Sequence, residues 1–260
     1  CSTAVVHTQA AEGQAVSSIE EEEVSVDRQE AQSVSPGDGS QFVRKGICRL
    51  DNGKLYYFNN KGVKVTKKGW HKISSKRYLQ MAKGGHLVAK MDNSKGRWKY
   101  YKYDYKGNKW REQKSVWIYV DGKRYYFDRS GKCTIIYYPR TQKCKVYEKG
   151  KMRVLKKDIC KLHNGKIYYF GKNGIRVTKK GWNKLSSKEY IQVGKSKWVT
   201  AKMQNTKGIW RYYKYSYRHK KWVKQKKIWL EVNKKKYYFN GSGRCTHLYD
   251  TVSRKFYDYS

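Results

Sequence analysis

A chain of 260 residues with a formal net charge of +40, 25 tyrosines and nine tryptophans, but few leucines, isoleucines and valines, lacks the material for one bulky aliphatic core. The charge is set unevenly: residues 1–40 hold eight acids and one base, whereas residues 41–260 hold 59 bases and 12 acids, so the body repels itself and attracts polyanions. No apolar run in the body approaches membrane-spanning length, and no G-x-S-x-G, H-E-x-x-H or Gly-rich phosphate loop is present to carry common hydrolytic or nucleotide chemistry.

Residues 1–40 are rich in Ser, Glu, Gln and Ala and show no period, the composition of a disordered acidic leader or linker. Its start reads in two ways. Cys1-Ser2 fits the lipid-anchored end of a lipoprotein, whereas Ala4-Val5-Val6 followed by Thr8-Gln9-Ala10 fits the end of a signal peptide with its small-residue cleavage site. Both readings imply export. The acidic run Glu20–Glu23 reads as solvated linker, with an intramolecular competitor for the basic body as the alternative.

The organising stretch is Asn52 to Trp70, NGKLYYFNNKGVKVTKKGW. Asn52-Gly53 is a tight-turn signal, Lys54–Phe58 a β-prone run, and Asn59-Asn60-Lys61-Gly62 supplies residues that accept positive φ, so that Val63–Thr66 can return as a second β-prone run. A lone hairpin is marginal in water, so this unit must stack on others. The same stretch recurs as Asn164 to Trp182, NGKIYYFGKNGIRVTKKGW, displaced by 112 residues, and the register holds without a gap from Ile47/Ile159 to Tyr147/Tyr259. Within the first unit the hairpin centres Tyr57, Leu79 (beside Tyr78), Tyr101, Tyr126 and Tyr147 follow at steps of 22, 22, 25 and 21. The expectation is an all-β chain of about ten stacked hairpins in two units, residues 41–157 and 158–260, each hairpin burying its rings against its neighbours.

The pattern N-G-K-x-Y-Y-F-x-x-x-G-x-x-x-T-x-x-G-W resembles the cell-wall-binding repeat of Gram-positive surface proteins, the family of choline-binding and glucan-binding modules and of the repetitive domains of clostridial toxins. Asp121-Gly122-Lys123 with Tyr125-Tyr126-Phe127, Gly131 and Thr134 fits the pattern, as does the copy at Tyr237-Tyr238-Phe239, while Ser75–Met91 is a looser match and the Trp98 and Tyr147 hairpins are degenerate. The resemblance implies a β-solenoid, wall attachment and a secreted or surface location. In choline-binding relatives the Trp of Gly-Trp and aromatics of the next hairpin cage a quaternary ammonium. Here that implies Trp70 with Tyr78 and Trp182 with Tyr190, although a field of +47 opposes capture of a cation. Packing of Trp70 and Trp182 between hairpins is the plainer reading.

The two copies also test one another. Bases recur at matched places, among them Lys67/Lys179, Lys68/Lys180, Lys90/Lys202, Lys99/Arg211 and Lys102/Lys214, whereas Asp51, Asp92, Asp104, Glu112 and Asp128 face His163, Gln204, Ser216, Lys224 and Asn240. Acid–base catalysis needs positioned carboxylates or a histidine, so a duplication that keeps none of them argues against an enzyme. No metal-ligand cluster or C-x-x-C pair appears, and no metal or cofactor is expected. Cys48/Cys160 and Cys133/Cys245 match across the copies and Cys144 faces Phe256; buried thiols and symmetric bridges Cys48–Cys133 and Cys160–Cys245 are both open.

The runs Trp98–Tyr103 and Trp210–Tyr215 interleave bases with rings, so each strand face carries both. That combination suits an anionic, sugar-bearing polymer. The expected polyanion ligands are Lys67, Lys68, Lys99, Lys102, Lys179, Lys180, Arg211 and Lys214, and the expected stacking residues are Trp70, Tyr78, Trp98, Tyr101, Trp182, Tyr190, Trp210 and Tyr213. The leading reading is a non-catalytic exported module that binds teichoic-acid-type wall polymers or carbohydrate by multivalency. Alternatives are an adhesin for sulfated host glycosaminoglycans, a choline-binding module and, less favoured, a nucleic-acid binder.

Overall fold

The computed structural model describes residues 43–259. The expected leader 1–40, with Cys1 and its two readings, lies outside the described residues.

The described residues form twenty-three antiparallel strands and no helix, grouped as six sheets. β1 (Gly46–Arg49) and β2 (Leu55–Phe58) are a hairpin. The meander β3 (Gly69–Ser74), β4 (Arg77–Met81), β5 (Leu87–Ser94), β6 (Arg97–Asp104) and β7 (Lys109–Glu112) follows. A second meander holds β8 (Val116–Val120), β9 (Lys123–Phe127), β10 (Cys133–Tyr138), β11 (Lys143–Glu148) and β12 (Lys151–Val154). The series then repeats: the hairpin β13 (Asp158–Lys161) and β14 (Ile167–Phe170), and the meander β15 (Gly181–Ser186), β16 (Glu189–Val193), β17 (Val199–Thr206), β18 (Ile209–Ser216) and β19 (Lys221–Lys224). A four-stranded sheet completes it, with β20 (Ile228–Val232), β21 (Lys235–Phe239), β22 (Cys245–Asp250) and β23 (Lys255–Asp258).

Local chemistry explains the turns. Gly53 takes a φ of 72° and Gly165 one of 73°, values that suit glycine. The Asn52 side chain accepts from the Lys54 N–H at 3.1 Å and donates to the Tyr56 hydroxyl at 2.9 Å, and Asn164 repeats both bonds with Lys166 and Tyr168. Strands follow the period of two: Leu87, Ala89 and Met91 of β5 are buried, as are Val199, Ala201 and Met203 of β17.

Two details differ from the sequence expectation. β2 pairs with β1 upstream, while Val63–Thr66 adds no strand; it meets β2 through the Phe58–Lys64 bridge and the Val65 N–H to Tyr57 carbonyl bond. The later hairpins of each unit are also joined, because β5 pairs with both β4 and β6 and β10 with both β9 and β11. An unpaired strand edge is a ready partner for the next strand, so neighbouring hairpins share a ladder.

Five apolar clusters hold the six sheets in series, the stacked arrangement of a β-solenoid. Leu55 packs with Leu79, Met81 and Leu87. Tyr78, Met91 and Tyr100 pack with Tyr125, Phe127 and Ile136. Tyr137 and Cys144 pack with Cys160, Tyr168 and Phe170. Ile167 and Tyr169 pack with Ile191 and Val199, and Met203 and Tyr212 with Tyr237 and Phe239. Each sheet thus buries its faces against its chain neighbours, and no core spans the whole stack. Polar clasps cross the same junctions. The Tyr105 hydroxyl accepts from the Leu55 N–H at 3.3 Å and donates to the Leu87 carbonyl at 2.5 Å; Tyr217 does the same with Ile167 and Val199.

Candidate functional site

The expected ligand bases fall into two groups. Lys67 and Lys68 are exposed on the segment that enters β3, and Lys179 and Lys180 on the segment that enters β15. Lys102 of β6 and Lys214 of β18 are exposed on strand faces, opposite Ala89 and Ala201. None of these six has a carboxylate within ion-pair distance among the described residues. Lys99 differs: its Nζ lies 3.1 Å from Glu112 Oε1, and that carboxylate raises the lysine's pKa. At the matched positions Arg211 and Lys224 are both bases, so Arg211 keeps its charge uncompensated.

The expected stacking rings are mostly turned into the junctions. Trp70 packs on Tyr100 at 6.0 Å between centroids, and Trp182 on Tyr212 at 6.2 Å. Trp98 lies between Tyr78 at 5.4 Å and Tyr125 at 6.2 Å; Trp210 lies between Tyr190 at 5.8 Å and Tyr237 at 6.2 Å. Tyr78 is buried and its hydroxyl donates to Asp121 Oδ2 at 3.0 Å; burial first, and then the Asp121 carboxylate, push its pKa up to about 12. These rings join sheets to one another. Tyr101 and Tyr213 are half-buried and have another role.

Lys90 Nζ stands 5.1 Å from the Tyr101 ring centroid and 5.0 Å from that of Trp110, with Asp92 Oδ2 at 3.0 Å. Lys202 repeats the clamp with Tyr213 at 5.5 Å and Trp222 at 4.9 Å. Burial lowers the Lys202 pKa and Glu189 opposes that shift. Lys166 lies over both Trp198 and Tyr217, at 4.7 and 4.4 Å. Cation–π attraction of this kind lets half-buried rings accept the chain's own bases and shields them from one another. Sequence reasoning missed the clamps. The residues were visible as pairs matched at the duplication interval, but strand register alone brings Lys90 opposite Tyr101.

The five described cysteines are free thiols. The matched pairs Cys48–Cys133 and Cys160–Cys245 are therefore not bridged, and Cys144 and Cys160 share one cluster, where the Cys160 thiol and burial raise the Cys144 pKa. Among the described residues no three His, Cys, Asp or Glu side chains gather where a metal could sit, and no helix is long and apolar enough to cross a membrane.

Fold and surface define a class: an all-β repeat protein that turns most of the expected stacking rings into its own junctions and presents matched bases outward. Within that class, residues 49–64, 117–133 and 227–245 match the family described as "Putative cell wall binding repeat". Each of these three stretches contains a Tyr-Tyr-Phe run, at Tyr56–Phe58, Tyr125–Phe127 and Tyr237–Phe239, so the match falls on the pattern that carries the resemblance. Similar solved structures include alternansucrase in complex with isomaltononaose, 19% identical over 84% of this chain and 14% of that one, with a TM-score of 0.27. They include the multimodular pneumococcal cell wall endolysin from phage Cp-1 complexed with choline, 18% identical over 61% of this chain and 37% of that one, TM-score 0.21. Choline binding protein F from Streptococcus pneumoniae is 20% identical over 74% of this chain and 69% of its own, TM-score 0.20. The chain therefore spans a minor part of the first two proteins. No curated protein sequence matches it.

Proposed function

We propose that this chain is a non-catalytic, exported wall-binding module that holds an anionic wall polymer of the teichoic-acid type along its exposed bases. The observation that carries the reading is the set Lys67, Lys68 and Lys102 with its copies Lys179, Lys180 and Lys214, exposed at matched places without acid partners. Many weak contacts at repeated spacing give affinity through multivalency, and each released counterion makes binding fall with salt. The wall-binding repeats support the location. The self-filled clamps at Lys90 and Lys202 favour an anionic over a quaternary-ammonium ligand, since a ligand cation would have to displace a lysine from the rings.

Co-sedimentation with purified Gram-positive walls, intact and acid-stripped of teichoic acid, tests the reading across a salt series. The expected result is binding that is lost on stripping and fades with salt, and that free choline does not release. Binding that survives both stripping and salt overturns it in favour of direct sugar recognition, and selective retention on heparin favours a host-glycan adhesin.

A further inference from the structure

The two ends of the described stack are complementary. At the far end, one face of β20–β23 presents a row of rings: Trp229 to Tyr238 at 5.2 Å, Tyr238 to His247 at 5.6 Å and His247 to Phe256 at 5.6 Å. Trp229 is 48% exposed and Phe256 55%, and no described residue covers them. The same face of the matching sheet β8–β12 is covered. There the hairpin β13–β14 seats Phe170 on Tyr137 at 6.4 Å and His163 on Trp117 at 6.1 Å, and Tyr137, Cys144 and Phe170 are all buried. The Arg176 N–H donates to the Gln142 carbonyl at 2.9 Å across this junction and its Nε to Gln142 Oε1 at 3.1 Å.

At the near end, β1–β2 is the sequence twin of β13–β14. Residues 51–58 read DNGKLYYF where residues 163–170 read HNGKIYYF. Cys48, Leu50 and Phe58 stand in the places of Cys160, Leu162 and Phe170, but the first three are half-buried where the second three are buried. So one end offers an open socket and the other an unseated plug, and the internal junction displays both engaged.

We propose that β1–β2 of one copy docks on the β20–β23 face of a second copy, repeating the β8–β12 to β13–β14 junction, so that copies join head to tail. The contact is heterologous and does not satisfy itself in a pair, so it extends into open chains. Phe256 replaces the smaller Cys144 at the socket and adds apolar area where the second sheet has four strands in place of five. Both sides carry bases: Lys236 and Lys255 lie on the socket strands beside Glu231 and Asp258, and Arg44, Lys45 and Arg49 lie on or just before β1. The large net positive charge still opposes approach, so association should strengthen as salt screens it. That sign is opposite to the salt response of polyanion binding, which keeps the two proposals separable.

Sedimentation velocity on the full chain over a concentration series, at low and high salt, is the test. The expected result is a sedimentation coefficient that grows with concentration, more so at high salt. Trp229→Lys with Phe256→Lys alters exposed socket residues and should weaken association at least about tenfold, consistent with loss of interface aromatic anchors. Leu50→Lys should do the same from the plug side, with circular dichroism checking its fold. An equimolar mixture of the two variants should form dimers and stop there, because one intact plug meets one intact socket. A wild-type chain that stays monomeric throughout overturns the proposal. So does a dimer that persists in the Leu50→Lys variant, which points to a socket-to-socket pair. Loss of wall binding by the Trp229 and Phe256 variant with no change in mass also overturns it, and makes the face a carbohydrate platform.

Discussion

Lys99 Nζ meets Glu112 Oε1 at 3.1 Å, whereas Arg211, its counterpart in the second copy, has Lys224 at the position matched to that acid and pairs in register with Gln204. Matched bases are therefore unequal in what they offer a ligand. Arg211→Ala should lower the salt slope of heparin or teichoic-acid binding by about one, the signature of one lost phosphate or sulfate contact. Lys99→Ala should leave the slope nearly unchanged and cost about 1–3 kcal/mol of stability, because it leaves the half-buried Glu112 carboxylate without its partner. Binding isotherms at several salt concentrations decide between them; an equal loss in both variants counts against the pairing argument.

Trp70→Ala and Trp182→Ala remove rings that pack on Tyr100 and Tyr212 at the sheet junctions. Each should cost about 3 kcal/mol in chemical denaturation, near the low end for large-to-small aromatic truncation. Polymer affinity measured well below the Tm should change less than twofold. A variant that loses binding at an unchanged Tm would show that these tryptophans face the ligand.

Tyr105→Phe and Tyr217→Phe keep the ring and delete the clasp hydroxyl. Each deletes the acceptor for Leu55 or Ile167 and the donor for the Leu87 or Val199 carbonyl. The expected loss is about 1–3 kcal/mol, the cost of leaving part-buried backbone groups unpaired. Hydrogen exchange should locate it: the Leu55 amide loses protection in one variant and the Ile167 amide in the other.

Alkali should unfold the protein through its tyrosines. Burial pushes Tyr217 up to about 12, burial with Asp121 does the same for Tyr78, and burial holds Tyr100, Tyr125, Tyr212 and Tyr237 above the ordinary 10.0. The unfolded chain releases these protons near pH 10, so above that pH the folded state holds the greater number. Their contribution is complete below pH 10 and is lost as the pH rises towards 12. Lys202 acts the other way, because its folded pKa is lowered, but it is one group against six. A pH titration followed by tyrosinate absorbance and circular dichroism should show ionisation and unfolding together; ionisation at pH 10 with the fold intact would contradict the burial argument.

Much of this organisation was legible in the chain because repeats announce themselves twice. Asn52-Gly53 and Asn164-Gly165 marked the turns, and the Tyr-Tyr-Phe runs marked β2, β9, β14 and β21. Pairing partners were less legible, since Val63–Thr66 has the β propensity of a strand but meets β2 through only one bridge. The roles of Tyr78 and Lys90 were not legible at all. Asp121 lies 43 residues from Tyr78, and the Lys90 clamp depends on the alignment of β5 with β6 and β7. Such contacts are set by register, which composition and period do not report.

The six sheets are joined to one another mainly by side chains, and regular strand ladders end at each sheet's edge. Pulled from its two termini, such a molecule carries the load through each junction in turn. The consequence is a spring with many weak stops: extension should proceed sheet by sheet in small releases, each reversible while its neighbour still stands as a template. A protein built this way yields under tension gradually where a single-core domain of equal length snaps once.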